Sequence, residues 1–239
     1  TARSAAVELA LGANDLARGE KAEASRWLEA ALRSARDAGD PGIQAAALND
    51  LGRLRAASGD APRALSLFEK SAQHARQAGD LEIEARAASN AARTATDPDQ
   101  ATQWLARALA RSRALPDGDA KAALLLNLAE QEQARANRGP SQAQRSRLQA
   151  AKLYAEALRV ADATGSDRMA SYALGGLSEV HASGGGTDTA LSLARRAVAR
   201  ARVGGGGGGV AGGGGPPPPT PPALPGLAGR PAGGGPRFQ

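Results

Sequence analysis

The segments Ala35-Arg-Asp-Ala-Gly-Asp40 and Ala75-Arg-Gln-Ala-Gly-Asp80 differ at one position and lie 40 residues apart. A match of this length at a fixed offset indicates an internal repeat, and repeats of this period are typical of stacked structural units. The same offset holds on both sides of the segment. It aligns Leu11-Gly12 with Leu51-Gly52, Gly19 with Gly59, Ala24 with Ala64, and Leu28 with Phe68.

Glycines followed by a polar residue punctuate the chain at regular intervals. A glycine can take the left-handed conformation that ends a helix, and the Asp or Ser after it can cap the next helix. This predicts unit boundaries at Gly39-Asp40, Gly79-Asp80, Gly118-Asp119 and Gly165-Ser166, with turns inside units at Gly19-Glu20, Gly59-Asp60 and 184–186. Five helical hairpins are therefore expected, over about 4–39, 41–79, 80–118, 119–165 and 166–203.

Between these glycines the apolar residues recur at helical spacing. In the second unit Leu65, Phe68, Ala72 and Ala75 lie on one helix face. Aromatic residues make up only 3% of the chain, while Ala is abundant, so close packing between Ala-rich helices must form the core. The sequence therefore predicts an all-α protein in which each hairpin packs mainly against its neighbours.

The repeated residues resemble a known family. Leu-Gly, a later Gly, then Ala, an aromatic residue or Leu, and a final small pair form the pattern of tetratricopeptide repeats (TPR), here in a long-period variant of about 40 residues. It is clearest in Leu11-Gly12…Gly19…Ala24…Leu28 and in the second unit. The resemblance implies a right-handed α-solenoid. The third unit departs from it by a shortened turn at Thr96–Gln100, and the fourth by an insertion around Asn137–Ser141.

The resemblance also implies a function, because such arrays hold a partner peptide or helix in a concave groove lined by the first helix of each hairpin. Related arrays use an asparagine before the Leu position to bind a ligand backbone, and Asn90 and Asn127 stand there. Arg53 and Arg93 occupy equivalent positions and favour carboxylates, so an acidic peptide is expected. The predicted partner-binding residues are Asn49, Asp50, Arg53, Arg86, Asn90, Arg93, Asn127, Glu130, Tyr172 and Glu179.

The sequence also bears on several other interpretations. These polar residues could simply be solvated helix faces. A clamp for chaperone C-termini is incomplete, because Leu9, Ala13 and Ala123 stand where its bases or amide should be. Catalysis finds no support: the chain has no cysteine, and His74 and His181 lack nearby partners at motif spacing. No cofactor or metal is expected. The interleaved charges, with a net charge of +6, argue against nucleic acid as a partner.

The composition changes abruptly after Val203. Residues 204–239 are dominated by Gly and Pro runs, which predicts a disordered, low-complexity tail or linker. Pro216–Pro222 could engage an aromatic-lined domain. An alternative function is that the array is the sensor of a larger multidomain enzyme or of a transcriptional or NTPase regulator. The oligomeric state is left open. A cytoplasmic location is favoured, with organellar or periplasmic locations open because the chain starts at Thr1.

Overall fold

The structure, a computed structural model, describes residues 1–137 and 140–205. This part of the chain forms ten α-helices and contains no strand, and the predicted TPR-like α-solenoid of five hairpins is confirmed. The handedness of its superhelix stays a prediction. The helices are α1 (Ala2–Arg18), α2 (Lys21–Ala38), α3 (Pro41–Ala57), α4 (Ala61–Ala78), α5 (Leu81–Thr94), α6 (Pro98–Ala114), α7 (Asp119–Ala136), α8 (Pro140–Thr164), α9 (Asp167–Ser183) and α10 (Thr187–Gly205).

The proposed tail is only partly within the described residues. Helix α10 continues through Gly205, two residues into the segment assigned to the tail. Residues 206–239, including Pro216–Pro222, lie outside the described part of the chain, and so do residues 138–139 of the fourth-unit insertion. The division into a repeat domain and a disordered tail therefore stays a prediction.

The ten helices form two layers. Each helix packs on the next one in the chain, and each odd-numbered helix also contacts the next odd-numbered helix. Across residues 1–137 and 140–205, no two even-numbered helices pack on each other in this way. Helices α1, α3, α5, α7 and α9 thus form one layer of the array, called the inner layer below, and the even-numbered helices form the outer layer. This layer contains the first helix of each hairpin, which the resemblance to TPR arrays predicts to line the groove.

Local chemistry sets most helix ends. Gly39 and Gly79 have φ values of 65° and 70°, and the carboxylates of Asp40 and Asp80 accept hydrogen bonds from the N–H groups of Ile43 and Ile83. These are the predicted left-handed ends and Asp caps.

The prediction is wrong in detail at Gly118-Asp119. There Gly118 is extended, with φ 169°, and Asp119 is already the first residue of α7. The preceding helix ends earlier, at Ala114, because Pro116 disfavours helical conformation at Leu115. No left-handed glycine is needed to end α6.

The two helices of a hairpin approach each other at glycine. A Cβ atom on Gly12 would lie 2.7 Å from Leu28 Cγ, and one on Gly52 would lie 2.6 Å from Phe68 Cε1. Both large side chains are fully buried. The Gly of the Leu-Gly pair is therefore required because the partner helix places a bulky side chain against its backbone.

The fourth hairpin meets this requirement in a different way. Tyr154 stands at the Phe68 position, and the glycine that accommodates it is Gly176 of the following hairpin. A Cβ atom on Gly176 would lie 2.2 Å from Tyr154 Cε1. The close approach has moved from within a hairpin to the junction between two hairpins.

Three inner helices have a buried polar residue near their start. In two of them its side chain donates to backbone carbonyl oxygens at the end of the preceding hairpin. Gln44 Nε2 lies 3.5 Å from the carbonyl oxygen of Ala35, and Lys121 Nζ donates to the carbonyls of Arg113 and Leu115 at 3.2 and 2.9 Å. At the corresponding position Glu84 cannot donate. Its carboxylate is instead paired with Arg76 and Arg111, at 3.4 and 3.0 Å. The hairpin junctions thus keep their buried polar atoms bonded.

We predict opposite effects on stability for two Gly→Ala substitutions in inner helices. Gly52→Ala forces Cβ into Phe68 and should destabilise the fold by about 1–3 kcal/mol. Gly175→Ala meets nothing within 4 Å and should stabilise it by up to about 1 kcal/mol, because Ala is the better helix former. Thermal unfolding followed by circular dichroism measures both. A lower midpoint for both variants would contradict the steric explanation.

Candidate functional site

The inner face of α3 and α5 carries one continuous chain of hydrogen bonds. Arg53 donates to Asp50 at 3.2 Å, and the amide of Asn49 donates to the same carboxylate oxygen at 3.2 Å. Asn90 donates to Asn49 Oδ1 at 2.9 Å, and Arg93 donates to Asn90 Oδ1 at 3.1 Å. Five of the ten predicted residues therefore lie in a single network that joins two hairpins.

The two asparagines at the centre of this network are almost inaccessible. Asn49 is 2% exposed and Asn90 is 8% exposed, whereas the Arg93 side chain is partly covered and partly exposed. The buried amides fix the position of the guanidinium group above them. A ligand in the groove would meet Arg93 and Arg53 before it met either asparagine.

A second network joins α5 to α7. Ser89 donates to Asn127 Oδ1 at 3.2 Å, and Gln131 Nε2 donates to Asn127 Oδ1 and to Ser89 Oγ, each at 2.8 Å. Asn127 and Gln131 are half-buried, so part of each amide faces the groove. Gln131 is absent from the predicted residues, although its position four residues after Asn127 places it on the same helix face.

A third network joins α7, α8 and α9. Gln133 donates to Glu179 Oε2 at 3.0 Å, and Tyr154 donates to Gln133 Oε1 at 2.9 Å. Burial, together with the nearby carboxylates of Glu130 and Glu179, raises the pKa of Tyr154, which keeps the phenol protonated as a donor. The contribution of Gln133 was not predicted, because its partners come from the insertion-bearing and last hairpins.

A pocket of about 500 Å³ opens between the third hairpin and α7. Its apolar wall includes Ala92, Ala95, Pro98, Ala101 and Leu105, and its polar wall includes Arg93, Asn127, Glu130, Gln131 and Arg135. Small residues and the short 95–97 turn leave this space. Three of the predicted site residues, Arg93, Asn127 and Glu130, therefore line one concave feature.

The charges of the inner face are separated along the array. Burial and the nearby Arg53 lower the pKa of Arg93, with Glu130 acting in the opposite sense. Burial and the nearby Glu179 raise the pKa of Glu130, opposed by Arg93. Like charges are thus close together at each end of the site: two arginines on α3 and α5, and two glutamates on α7 and α9.

The two remaining predicted residues are placed less centrally. Arg86 is exposed and pairs with Glu82 on its own helix, one turn away. Tyr172 is half-buried and packs against the hydrophobic core. Whether the ten residues bind a partner stays a prediction.

Several solved structures share this fold, and two of them are compared with the chain as follows. The crystal structure of BtubC (BKLC) from P. vanneervenii is 17% identical, with a TM-score of 0.61 over 88% of this chain and 82% of that chain. A putative kinesin light chain with nearly identical TPR-like repeats from Podosopora anserina is also 17% identical, with a TM-score of 0.60 over 85% of this chain and 98% of that one. No protein-family model and no curated protein sequence matches the chain.

Two absences hold for residues 1–137 and 140–205. None of the helices there is long and apolar enough to cross a membrane. The same residues include no group of three or more His, Cys, Asp or Glu placed to hold a metal ion.

We predict that Asn49 and Asn90 are energetically coupled. Asn90→Ala leaves the buried Asn49 oxygen without its donor, which should cost about 1–3 kcal/mol. The double variant Asn49→Ala, Asn90→Ala should cost less than the sum of the two single variants, because neither buried partner is then left unpaired. Urea unfolding of the four proteins gives the coupling energy. Strictly additive costs would show that the hydrogen bond does not hold the two hairpins together.

We also predict a pH-dependent stability difference for Glu130→Gln. Because the pKa of Glu130 is raised on folding, its stabilising contribution is full at pH values below the ordinary Glu pKa and is lost as pH rises through the raised value. The Gln variant does not undergo this loss. The thermal midpoint of the Gln variant should therefore rise relative to that of the unmodified protein as the pH increases from below the ordinary Glu pKa through the raised value.

The matched control for this measurement is Glu69→Gln on the exposed face of α4, which should show no such gain. An equal pH profile for the two variants would mean that Glu130 is not disfavoured by its neighbours.

Proposed function

We propose that this chain is a non-catalytic interaction scaffold that binds a peptide or helix of a partner protein along the face formed by α3, α5, α7 and α9. The observation that carries the proposal is the continuity of polar groups across this face, where each neighbouring pair of inner helices is bridged by side-chain hydrogen bonds. TPR-like arrays are generally used as protein-binding scaffolds, and the fold supports this general class.

The groups on this face suit a polypeptide ligand. An extended peptide carries unpaired backbone N–H and C=O groups, and the half-buried amides of Asn127 and Gln131 offer donors and acceptors to match them. Arg53 and Arg93 offer guanidinium groups for a carboxylate of the partner. An acidic residue in the bound segment is therefore part of the proposal.

The arginine side chain on this face is held in place by hydrogen bonds, which favours a binding surface over a solvated helix face. Arg93 is held by Asn90, and Asn90 is held by Asn49 of the neighbouring hairpin. Side chains already fixed by hydrogen bonds lose less conformational entropy when a ligand arrives. The same hydrogen bonds also join two hairpins, so the preorganised arginines are a consequence of the packing that a ligand can use.

The proposal is tested by affinity capture from cells that produce the protein, with two charge-matched variants of the full chain. The groove variant carries Arg53→Gln, Arg93→Gln and Glu130→Gln. The outer-layer variant carries Arg33→Gln, Lys70→Gln and Glu69→Gln, three exposed residues of α2 and α4. Each variant loses two positive charges and one negative charge, and both must retain the helical circular dichroism of the unmodified protein.

We expect the outer-layer variant to retain the partner and the groove variant to lose it. Loss from both variants would indicate a nonspecific charge effect. Retention by both would place the binding surface elsewhere, on the outer layer or in residues outside 1–137 and 140–205.

A further inference from the structure

The inner face carries two arginines at one end, where Arg53 already pairs with Asp50 at 3.2 Å, and two glutamates at the other. Arg53 on α3 and Arg93 on α5 are close enough for one guanidinium to disfavour the charge of the other. Glu130 on α7 and Glu179 on α9 are related in the same way. Within the described residues neither glutamate forms an ion pair, and Glu179 accepts only the neutral amide of Gln133. Each like-charged pair can be relieved by a group of opposite charge from a ligand.

The pocket lies between these two pairs. Arg93 and Glu130 are both on its rim, while Ala92, Pro98, Ala101 and Leu105 provide an apolar interior. A volume of about 500 Å³ can receive a bulky apolar side chain. A segment that contacts both Arg93 and Glu130 therefore passes along the pocket.

We propose that the bound segment has a fixed charge order: a carboxylate at Arg53 and Arg93, a bulky apolar side chain in the pocket, and a Lys or Arg at Glu130 and Glu179. This inference rests on the proposed function and specifies the chemistry of the partner. A uniformly acidic segment fits only the α3–α5 end, because it would be repelled by the two glutamates.

The helix layer sets the spacing of these three groups. Packed helices lie about 8–10 Å apart, and an extended chain advances about 3.3 Å per residue. An extended peptide therefore needs about three residues to pass from the contact between α3 and α5 to the contact between α5 and α7. It needs about three more to reach the contact between α7 and α9. The preferred segment has its carboxylate about three residues before or after the apolar side chain and its base about three residues on the other side.

The test is selection from a displayed library of random 12-residue peptides on the full chain, followed by affinity measurement for the consensus peptide and its charge-reversed form. Four variants are compared: Arg93→Gln, Glu179→Gln, Ala134→Phe, and a charge-swapped chain with Arg53→Glu, Arg93→Glu, Glu130→Lys and Glu179→Lys. Ala134 is exposed on the pocket rim, so the Phe variant fills the pocket without disturbing the core. The outer-layer variant Arg33→Gln, Lys70→Gln, Glu69→Gln is the control.

We expect selected peptides to carry the acid–apolar–base order. Arg93→Gln and Glu179→Gln should each weaken their binding up to about fivefold, as expected for partly exposed ion pairs. Ala134→Phe should weaken it by about tenfold or more. The charge-swapped chain should prefer the charge-reversed peptide, and the outer-layer control should bind like the unmodified protein.

The experiment distinguishes failure of the charge order from failure of peptide binding in the groove. Selected peptides that are uniformly acidic, and that lose affinity in Arg93→Gln but not in Glu179→Gln, would overturn the charge order while leaving groove binding intact. Selected peptides that bind all four variants equally, or a library that yields no binder, would overturn both the charge order and the groove as the peptide site. If the charge-swapped chain misfolds, the single variants alone decide between these outcomes.

Discussion

The close approach of paired helices is the constraint on which the rest of this structure depends. With few aromatic residues, the core is built from Ala, Leu and single large side chains that fit against glycine, as Leu28 does at Gly12 and Phe68 at Gly52. Small side chains at these contacts let the paired helices pack closely, and successive hairpins stack on one another. Stacking in turn brings each inner helix into contact with the next, and that contact creates the polar face.

Contact within the inner layer explains why amides occupy its centre. Where α3 meets α5, a polar group is buried away from water and needs a hydrogen-bond partner. Asn90 meets this need by donating a hydrogen bond to Asn49. The charged ends of Arg53 and Arg93 extend beyond this buried pair. The same residues thus join two hairpins and orient the cations of the groove, so the stability of the array and the chemistry of its surface are linked.

The irregular third and fourth hairpins make the inner face differ from one repeat to the next. Shortening of the third hairpin at residues 95–97 and its run of small residues leave the pocket, and the long α8 of the fourth hairpin places Tyr154 against Gly176 and Gln133. A strictly regular array would present the same surface at every repeat. The shortened third hairpin, next to the fourth, places a partly apolar pocket between Arg93 and Glu130.

What the sequence determined by itself is local or strictly periodic. Helices, their hairpin pairing and most of their ends follow from apolar spacing, left-handed glycines and Asp caps, which act over a few residues. The choice of the ten candidate partner-binding residues rests on the resemblance to TPR arrays, and their binding role stays a prediction. Only the tertiary structure decided that Asn49 and Asn90 are hydrogen-bonded to each other and that Gln131 and Gln133 join the inner face. It also decided that the glycine that accommodates Tyr154 is in the next hairpin. The proximity of Arg53 to Arg93, and of Glu130 to Glu179, likewise depends on hairpin packing. These features depend on side chains about 20 to 50 residues apart, and their distances are fixed by how successive hairpins pack rather than by any local rule.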